Sequence, residues 1–312
     1  MFTITAWLDK NGNNQFDSGV DDQEQTKVYV NKAWTSQGTW TVGNAAIVKA
    51  NADGASLQQL VLNITGNAAD ASALGNVGKI TKDKEIDITP LIKILDQRVR
   101  AQVVVAAKSA KAANFGLIGT NARRGIANYE IHNMGETEVN NIFDLSVLNP
   151  YPNYHCWGMG SVELARGLIK GALRPGEFDK LGLRPHDFGL AGAPENKLQY
   201  LATGSLASVP TGYLVNFDNT PLWYTYLLKG PWANEFAIKT GNDKYVPWGV
   251  FPDRERTEVE VKQALLNKYN EQVSYYYKVG IKDIPGYQGT AWTVNMATLA
   301  QKIFNLRTGQ TP

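Results

Sequence analysis

Over residues 2–80 the chain alternates polar and apolar positions. "FTITAWLD", "TKVYVNKAW", "GTWTVGNAAIVKA" and "LQQLVLNITG" are rich in Thr, Val, Ile and Trp and are separated by clusters of Gly, Asn and Asp. This pattern predicts short strands joined by tight turns, as in a small β-sandwich. Past residue 86 the period changes. In "DITPLIKILDQRVRAQVVVAAKSAKAANFG" apolar residues recur at Leu91, Ile94, Leu95, Val99 and Val103, with Thr89 placed as N-cap and Pro90 at the first helical position. The spacing predicts a helix of about four to six turns.

The second half of the chain mixes both periods. Residues 130–152 read as loop, with a strand at "NIFDLSVL". Met159, Val162, Ala165 and Ile169 follow Cys156 at helical spacing and predict one buried face. Prolines and glycines over 173–200 predict a long loop with short helical turns. Strand patterns return at "TGYLVNFDN" and "EFAIKTG", and helical ones at "TEVEVKQALLNKYNEQVSYYY" and "TVNMATLAQKIFNL". No internal repeat is visible. The fold class is α+β, divided into a β-rich module over 1–85, a helical linker over 86–129 and an α+β domain over 130–312.

Composition narrows the function classes. The chain has 312 residues, 43% hydrophobic and 10% aromatic, which is ordinary for a globular protein. A formal charge of +2 gives no reason to expect a nucleic-acid partner. The one basic concentration, Lys93, Arg98, Arg100, Lys108, Lys111, Arg123 and Arg124 against Asp87 and Asp96, reads as a solvated helix face or a polyanion contact. No apolar run approaches the ~18 residues of a membrane span. The first residues lack the basic start and apolar core of a Sec-type signal peptide. A Met set directly before a strand also suits a fragment of a larger protein.

The single cysteine, Cys156, stands in "NYHCWGMGSVELARG" at the start of a helix. There, unpaired N–H groups and the positive end of the helix dipole would favour the thiolate. The same groups could hold an oxyanion formed from an attacked amide. Gly158 and Gly160 would allow close approach, and Trp157 would wall the pocket. A small buried hydrophobe is the other reading of a lone cysteine. A nucleophile needs a base, and the chain has three histidines, His132, His155 and His186. His155 adjoins the thiol and points to another side. His186, beside Asp187, is the downstream candidate. Glu235, in the apolar strand "NEFAIKTG", is the carboxylate candidate, since burial could raise its pKa into a useful range.

The order of these residues resembles the small bacterial spore-coat type of protein-glutamine γ-glutamyltransferase, with its NlpC/P60-like papain core. The resemblance runs over roughly 150–255. It rests on Cys156, then Pro210-Thr211-Gly212-Tyr213-Leu214-Val215-Asn216-Phe217-Asp218-Asn219, then Trp232, Glu235, Ile238, Gly241, Tyr245 and Gly249. It implies a papain-like transamidase domain over 130–312, with Cys156 as thiol nucleophile and Glu235 as its partner. The protein substrate would supply the glutamine, and lysine or water would be the acceptor. Three departures stand out: Pro247-Trp248 replaces the family's Gly-His, His155 its acidic residue before the cysteine, and Thr211-Gly212 its Gly-Asp. Trp157, Trp232, Trp248 and Tyr245 are the aromatic candidates for an acyl and amine tunnel. An NlpC/P60-type cell-wall peptidase and a non-catalytic adhesive surface protein are the alternatives.

A further constellation lies in "DKNGNNQFDSGVDD", where Asp9, Asn11, Asn13, Asp17 and Asp21 place oxygen ligands on a Gly-containing turn, as Ca2+ requires. It resembles the calcium loops of extracellular bacterial β-modules, which implies a secreted, effector-type protein.

Overall fold

The computed structural model describes residues 2–8, 22–28, 47–49, 56–81, 84–112, 116–117, 133–144, 153–154, 156–189, 198–202, 206–219, 234–249, 255–277 and 290–309. They fall into two compact units, Met1–Trp40 and Thr41–Pro312. In the first, β1 (Phe2–Leu8) and β2 (Asp22–Val28) form an antiparallel pair, Phe2 opposite Val28 and Leu8 opposite Asp22.

The β-sandwich expected over 1–85 is corrected by the second unit. "LQQLVLNITG", which alternation assigns to a strand, is helix α1 (Leu57–Thr65). Leu57, Leu60, Val61 and Ile64 carry its apolar face at helical spacing, and the Ser56 hydroxyl caps it by accepting the Gln59 N–H at 3.2 Å. β3 (Ile47–Lys49) pairs antiparallel with β4 (Glu85–Asp87) inside this unit, and β5 (Gly116–Leu117) pairs parallel with β6 (Asn153–Tyr154).

Helix α2 (Thr89–Ala112) is longer than expected and is capped one step earlier. The Asp87 carboxylate accepts the Thr89 N–H at 2.9 Å, and the Ile88 carbonyl accepts from Leu91 and Ile92. Leu91, Ile92, Leu95, Val99 and Val103 are buried, Ile92 taking the place expected of Ile94. The helix read as a linker is therefore part of the core. Its charge is also spent locally: Arg98 pairs with Asp70 at 2.7 Å, Arg100 with Asp96 at 2.8 Å and Lys108 with Glu255 at 3.3 Å. Helix α3 (Glu136–Ile142) covers the start of "NIFDLSVL", where a strand was the expectation.

The centre of the unit is α4 (Cys156–Gly171), buried on nearly every side through Met159, Val162, Leu164, Ala165 and Leu168. Gly167 and Gly171 let α2 come against it. A Cβ on Gly167 would lie 2.2 Å from Val103 Cγ2, and one on Gly171 would lie 2.6 Å from the Val99 Cα. The contact at Gly171 is with backbone, so only glycine admits it.

Beside α4 runs a five-stranded antiparallel sheet in the order β10 (Lys244–Pro247), β9 (Asn234–Gly241), β8 (Leu214–Asp218), β11 (Thr290–Val294), β7 (Leu198–Ala202). Pairing of Leu214 with Ile238 and of Phe217 with Glu235 sets its two faces. Leu214, Phe236, Ile238 and Trp292 lie on the α4 side, where the Phe236 and Trp292 rings meet edge-on at 5.7 Å. Val215, Phe217, Ala237 and Tyr245 lie on the other, packed with Val261 and Leu265 of α6 (Glu258–Tyr277). Gly212, at φ +81°, sits with its Cα against the Arg100 carbonyl, where a Cβ would lie 2.5 Å from the oxygen. Its N–H donates to the Lys239 carbonyl at 2.7 Å, so this residue joins α2 to the sheet.

The chain end is locked by charge. Arg307, the last residue of α7 (Met296–Arg307), donates to both oxygens of Glu177 at 2.8 and 2.6 Å. Its remaining donors go to the carbonyls of Asn63, Ile64 and Ala172. Glu177 opens α5 (Glu177–Lys180), so one guanidinium holds α1, α4, α5 and α7 together.

Gly171→Ala should lower unfolding stability by about 1–3 kcal/mol in a denaturant titration, because backbone must move to admit the methyl. Gly241→Ala, whose Cβ would meet its nearest neighbour at 3.5 Å, should stay within about 0.5 kcal/mol.

Candidate functional site

Cys156 is the first residue of α4, half-buried and outside any disulfide. The helix behind it is buried from Gly158 to Ala165. Its position gives it the unpaired N–H groups of the first turn and the positive end of a 16-residue dipole.

Cys156, Gly160 and Glu163 follow one another at four and three residues, on one stripe of α4. Gly160 seats that stripe on β8, for a Cβ there would lie 2.5 Å from Leu214 Cδ1. Its role is packing against the sheet rather than access for substrate. Glu163 is fully buried. Its Oε1 accepts the indole N–H of Trp248 at 3.1 Å, while its Oε2 is buried without a hydrogen-bond partner. Burial pushes this carboxyl well above the usual carboxylate range, and the indole hydrogen bond offsets only part of that.

Trp248 follows β10 and is 3% exposed. Its backbone N–H and that of Gly249 both donate to Glu235 Oε1, at 2.7 and 2.6 Å. Glu235 is itself 1% exposed, on β9. One tryptophan thus holds two buried carboxyls: Glu235 by its backbone, Glu163 by its ring. Strand alternation assigns Glu235 to the Phe217 face, whereas Leu214 and Ile238, on the α4 side, lie on the other. Trp248, at the sheet edge, joins the two sides.

The other candidates fall elsewhere. His186 lies in a 3-10 turn (Pro185–Phe188) whose Pro185, Asp187 and Phe188 are buried while its own side chain is 49% exposed, with Nδ1 3.8 Å from Asp187 Oδ1. Tyr245, expected in a tunnel, is corrected to a core residue. It is wholly buried, edge-on to Phe217 at 5.1 Å, and its hydroxyl donates to the Leu206 carbonyl at 3.4 Å. Trp157 has its backbone in α4, and its side chain lies outside the described residues. Trp232, His132, His155 and the loop residues Asp9, Asn11, Asn13, Asp17 and Asp21 also lie outside them. Among the described residues no group of His, Cys, Asp or Glu is arranged to hold a metal ion, and no helix is long and apolar enough to cross a membrane.

Glu163 is the residue that sequence reasoning missed. Its signal was available: it is the one acidic residue in the buried run from Met159 to Ala165, two turns after the cysteine. Chemically, the region offers a thiol at a helix start, a buried carboxyl on the sheet held by two backbone donors, and a fully buried carboxyl on α4 whose pKa burial raises.

Glu163 keeps its proton in the folded chain at pH values where the unfolded chain has lost it. Its contribution to stability is therefore full below the ordinary value of 4.5 and is lost as pH rises towards the raised folded value. Glu163→Gln, which keeps the acceptor oxygen and removes the titration, should melt higher than the wild type by a margin that grows from pH 5 to pH 9. A margin independent of pH would rule out a protonated Glu163.

No protein-family model matches the sequence, and no curated protein matches it. Among solved structures, the chain is similar to a transglutaminase from Geobacillus stearothermophilus without its C-terminal extension, at 13% identity and a TM-score of 0.44, over 67% of this chain and 96% of that one.

Proposed function

We propose that the protein is a cysteine-dependent acyltransferase acting on glutamine side chains of proteins, a transglutaminase or a glutamine deamidase, with Cys156 as nucleophile. The observation that carries this reading is the thiol's place: the one cysteine heads the central helix and is partly exposed, while almost everything behind it is buried. On this reading α4 and the antiparallel sheet are the thiol helix and the sheet of a papain-like core. Glu235, fixed through Trp248 and Gly249, orients the reacting groups from the sheet.

In the reaction the Cys156 thiolate attacks the carboxamide carbon, and the first-turn N–H groups of α4 take the developing oxyanion. The tetrahedral adduct collapses to a thioester as ammonia leaves with a proton supplied by the site. A lysine amine or water then attacks the thioester, giving an isopeptide bond or a glutamate and returning the thiol. Glu235 receives the thiol's proton in this scheme, and the exposed His186 is its rival for that role. The loop of Asp9, Asn11, Asn13, Asp17 and Asp21, joining β1 to β2, we propose binds Ca2+ in a secreted protein, where millimolar calcium fills weak sites.

With a glutamine-containing protein as donor, the wild type should release ammonia and incorporate a fluorescent amine. Cys156→Ala should abolish both, and Glu235→Gln should lower the rate by about 10²–10⁴-fold, whereas His186→Asn should leave it within about threefold. Ammonia release without amine incorporation would assign a deamidase. A wild type inactive in both assays, with a thiol that alkylates slowly at pH 6, would overturn the enzyme reading. Separately, Ca2+ should raise the melting temperature relative to chelator, and Asp17→Asn should reduce that rise.

A further inference from the structure

A second site lies on another part of α4. Between its C-terminal half and α2 is a cleft of about 150 Å³, roughly ten times what one water needs. Arg166 and Lys170 line it from α4, Gln102, Val105 and Ser109 from α2, and Phe143 from the end of α3. Counted along the helix, Arg166 is ten residues, or ~15 Å, from Cys156, so the cleft is separate from the thiol.

Arg166 is the unusual member. Its guanidinium lies over the Phe143 ring at 5.4 Å, which fixes its plane. Its Nη1 is buried and has no hydrogen-bond partner. The other guanidiniums packed nearby are engaged: Arg98 by Asp70, Arg100 by Asp96, Arg174 by the Leu62 carbonyl, Arg307 by Glu177. A charged donor left unpaired inside a protein is costly and rare. The charge balance gives the acceptor's sign. Lys170, one turn further along, forms no ion pair among the described residues, and Asp144 is the acidic group that acts on Arg166. Gln102 and Ser109 add neutral donors on the opposite wall. Val105, 54% exposed at the rim, offers an apolar contact.

We propose that this cleft binds an oxyanion group, a phosphate or carboxylate on a small molecule, with Arg166 as principal donor and Lys170 as second charge. A guanidinium fork matches either group in two-point contact, and its stack on Phe143 holds it ready.

The test is calorimetric titration of the full chain with inorganic phosphate and with succinate, against sodium chloride of equal ionic strength. Saturable binding of one or both is expected, weakened at least tenfold in Arg166→Gln and severalfold in Lys170→Gln. Tighter phosphate binding would assign a phosphoryl ligand, and tighter succinate binding a carboxylate one. Val105→Glu, on an exposed position that leaves the core intact, should also weaken binding by placing a negative charge at the rim, and it decides the matter if Arg166→Gln does not fold. No saturable binding in the wild type, or equal affinity in Arg166→Gln and Val105→Glu, would overturn the proposal. None of these readouts depends on the reaction assigned to Cys156.

Discussion

The close approach of α2 to α4 is the constraint on which the rest of the second unit depends. Gly167 and Gly171 allow the backbone of Val99 to lie where any side chain would stand, which fixes both the spacing and the register of the two helices. Gly212 ties the sheet to the same helix by resting on the Arg100 carbonyl, and Gly160 seats α4 on Leu214. At Gly171 and Gly212 the closest contact is with backbone, which cannot rotate away as a side chain can. The thiol at the start of α4 therefore inherits its position from packing along the whole length of the helix.

Within this apolar frame two buried glutamates show how environment divides one residue type into two roles. Around Glu177, burial would raise the pKa, but the hydrogen bonds and charge of Arg307, with the Arg174 N–H, outweigh it and hold the carboxyl below its ordinary value. It is a structural anion, paired and saturated. Glu163 has an indole N–H and no cation, so burial wins and the proton stays. A neutral carboxyl buried two turns into the helix that Cys156 heads is an arrangement that packing alone does not require, and groups shifted in this way gather at functional sites.

Much of the second unit was legible because its long helices carry unbroken 3.6-residue patterns. α2, α4 and α6 stand where Leu91–Val103, Met159–Ile169 and "TEVEVKQALLNKYNEQVSYYY" place them, α7 begins three residues into "TVNMATLAQKIFNL", and β8 and β9 coincide with their apolar runs. α1 was misread although Ser56 and Gly66 bracket it with cap residues, because "LQQLVLN" also satisfies a strand's composition over so few residues. β11 was absorbed into the helix that follows it: "TAWTV" gives five residues of strand before Asn295 caps α7 by accepting the Thr298 N–H. At the site, Cys156 and Glu235 were visible as types in context. Glu163 was legible as the one acidic residue of a buried helical run, but its partner depends on which strand edge Trp248 reaches, and the core placement of Tyr245 on which sheet face it takes.

Trp248 meets both carboxyls, and its chemistry limits what they can do with a proton. Imidazole can accept a proton on one nitrogen while donating from the other; an indole and a peptide N–H only donate. Trp248 gives a backbone N–H to Glu235 and its ring N–H to Glu163, so it holds both carboxyls without linking them. No proton can pass from one to the other through it. In the proposed scheme a proton passed from Cys156 to Glu235 would leave with ammonia on the substrate side, while Glu163 keeps its own. Its neutral state then serves position: an uncharged carboxyl can be buried against the tryptophan that aims Glu235, where a charged one would draw water into the core. What a histidine would do by exchange, this arrangement can do only by geometry.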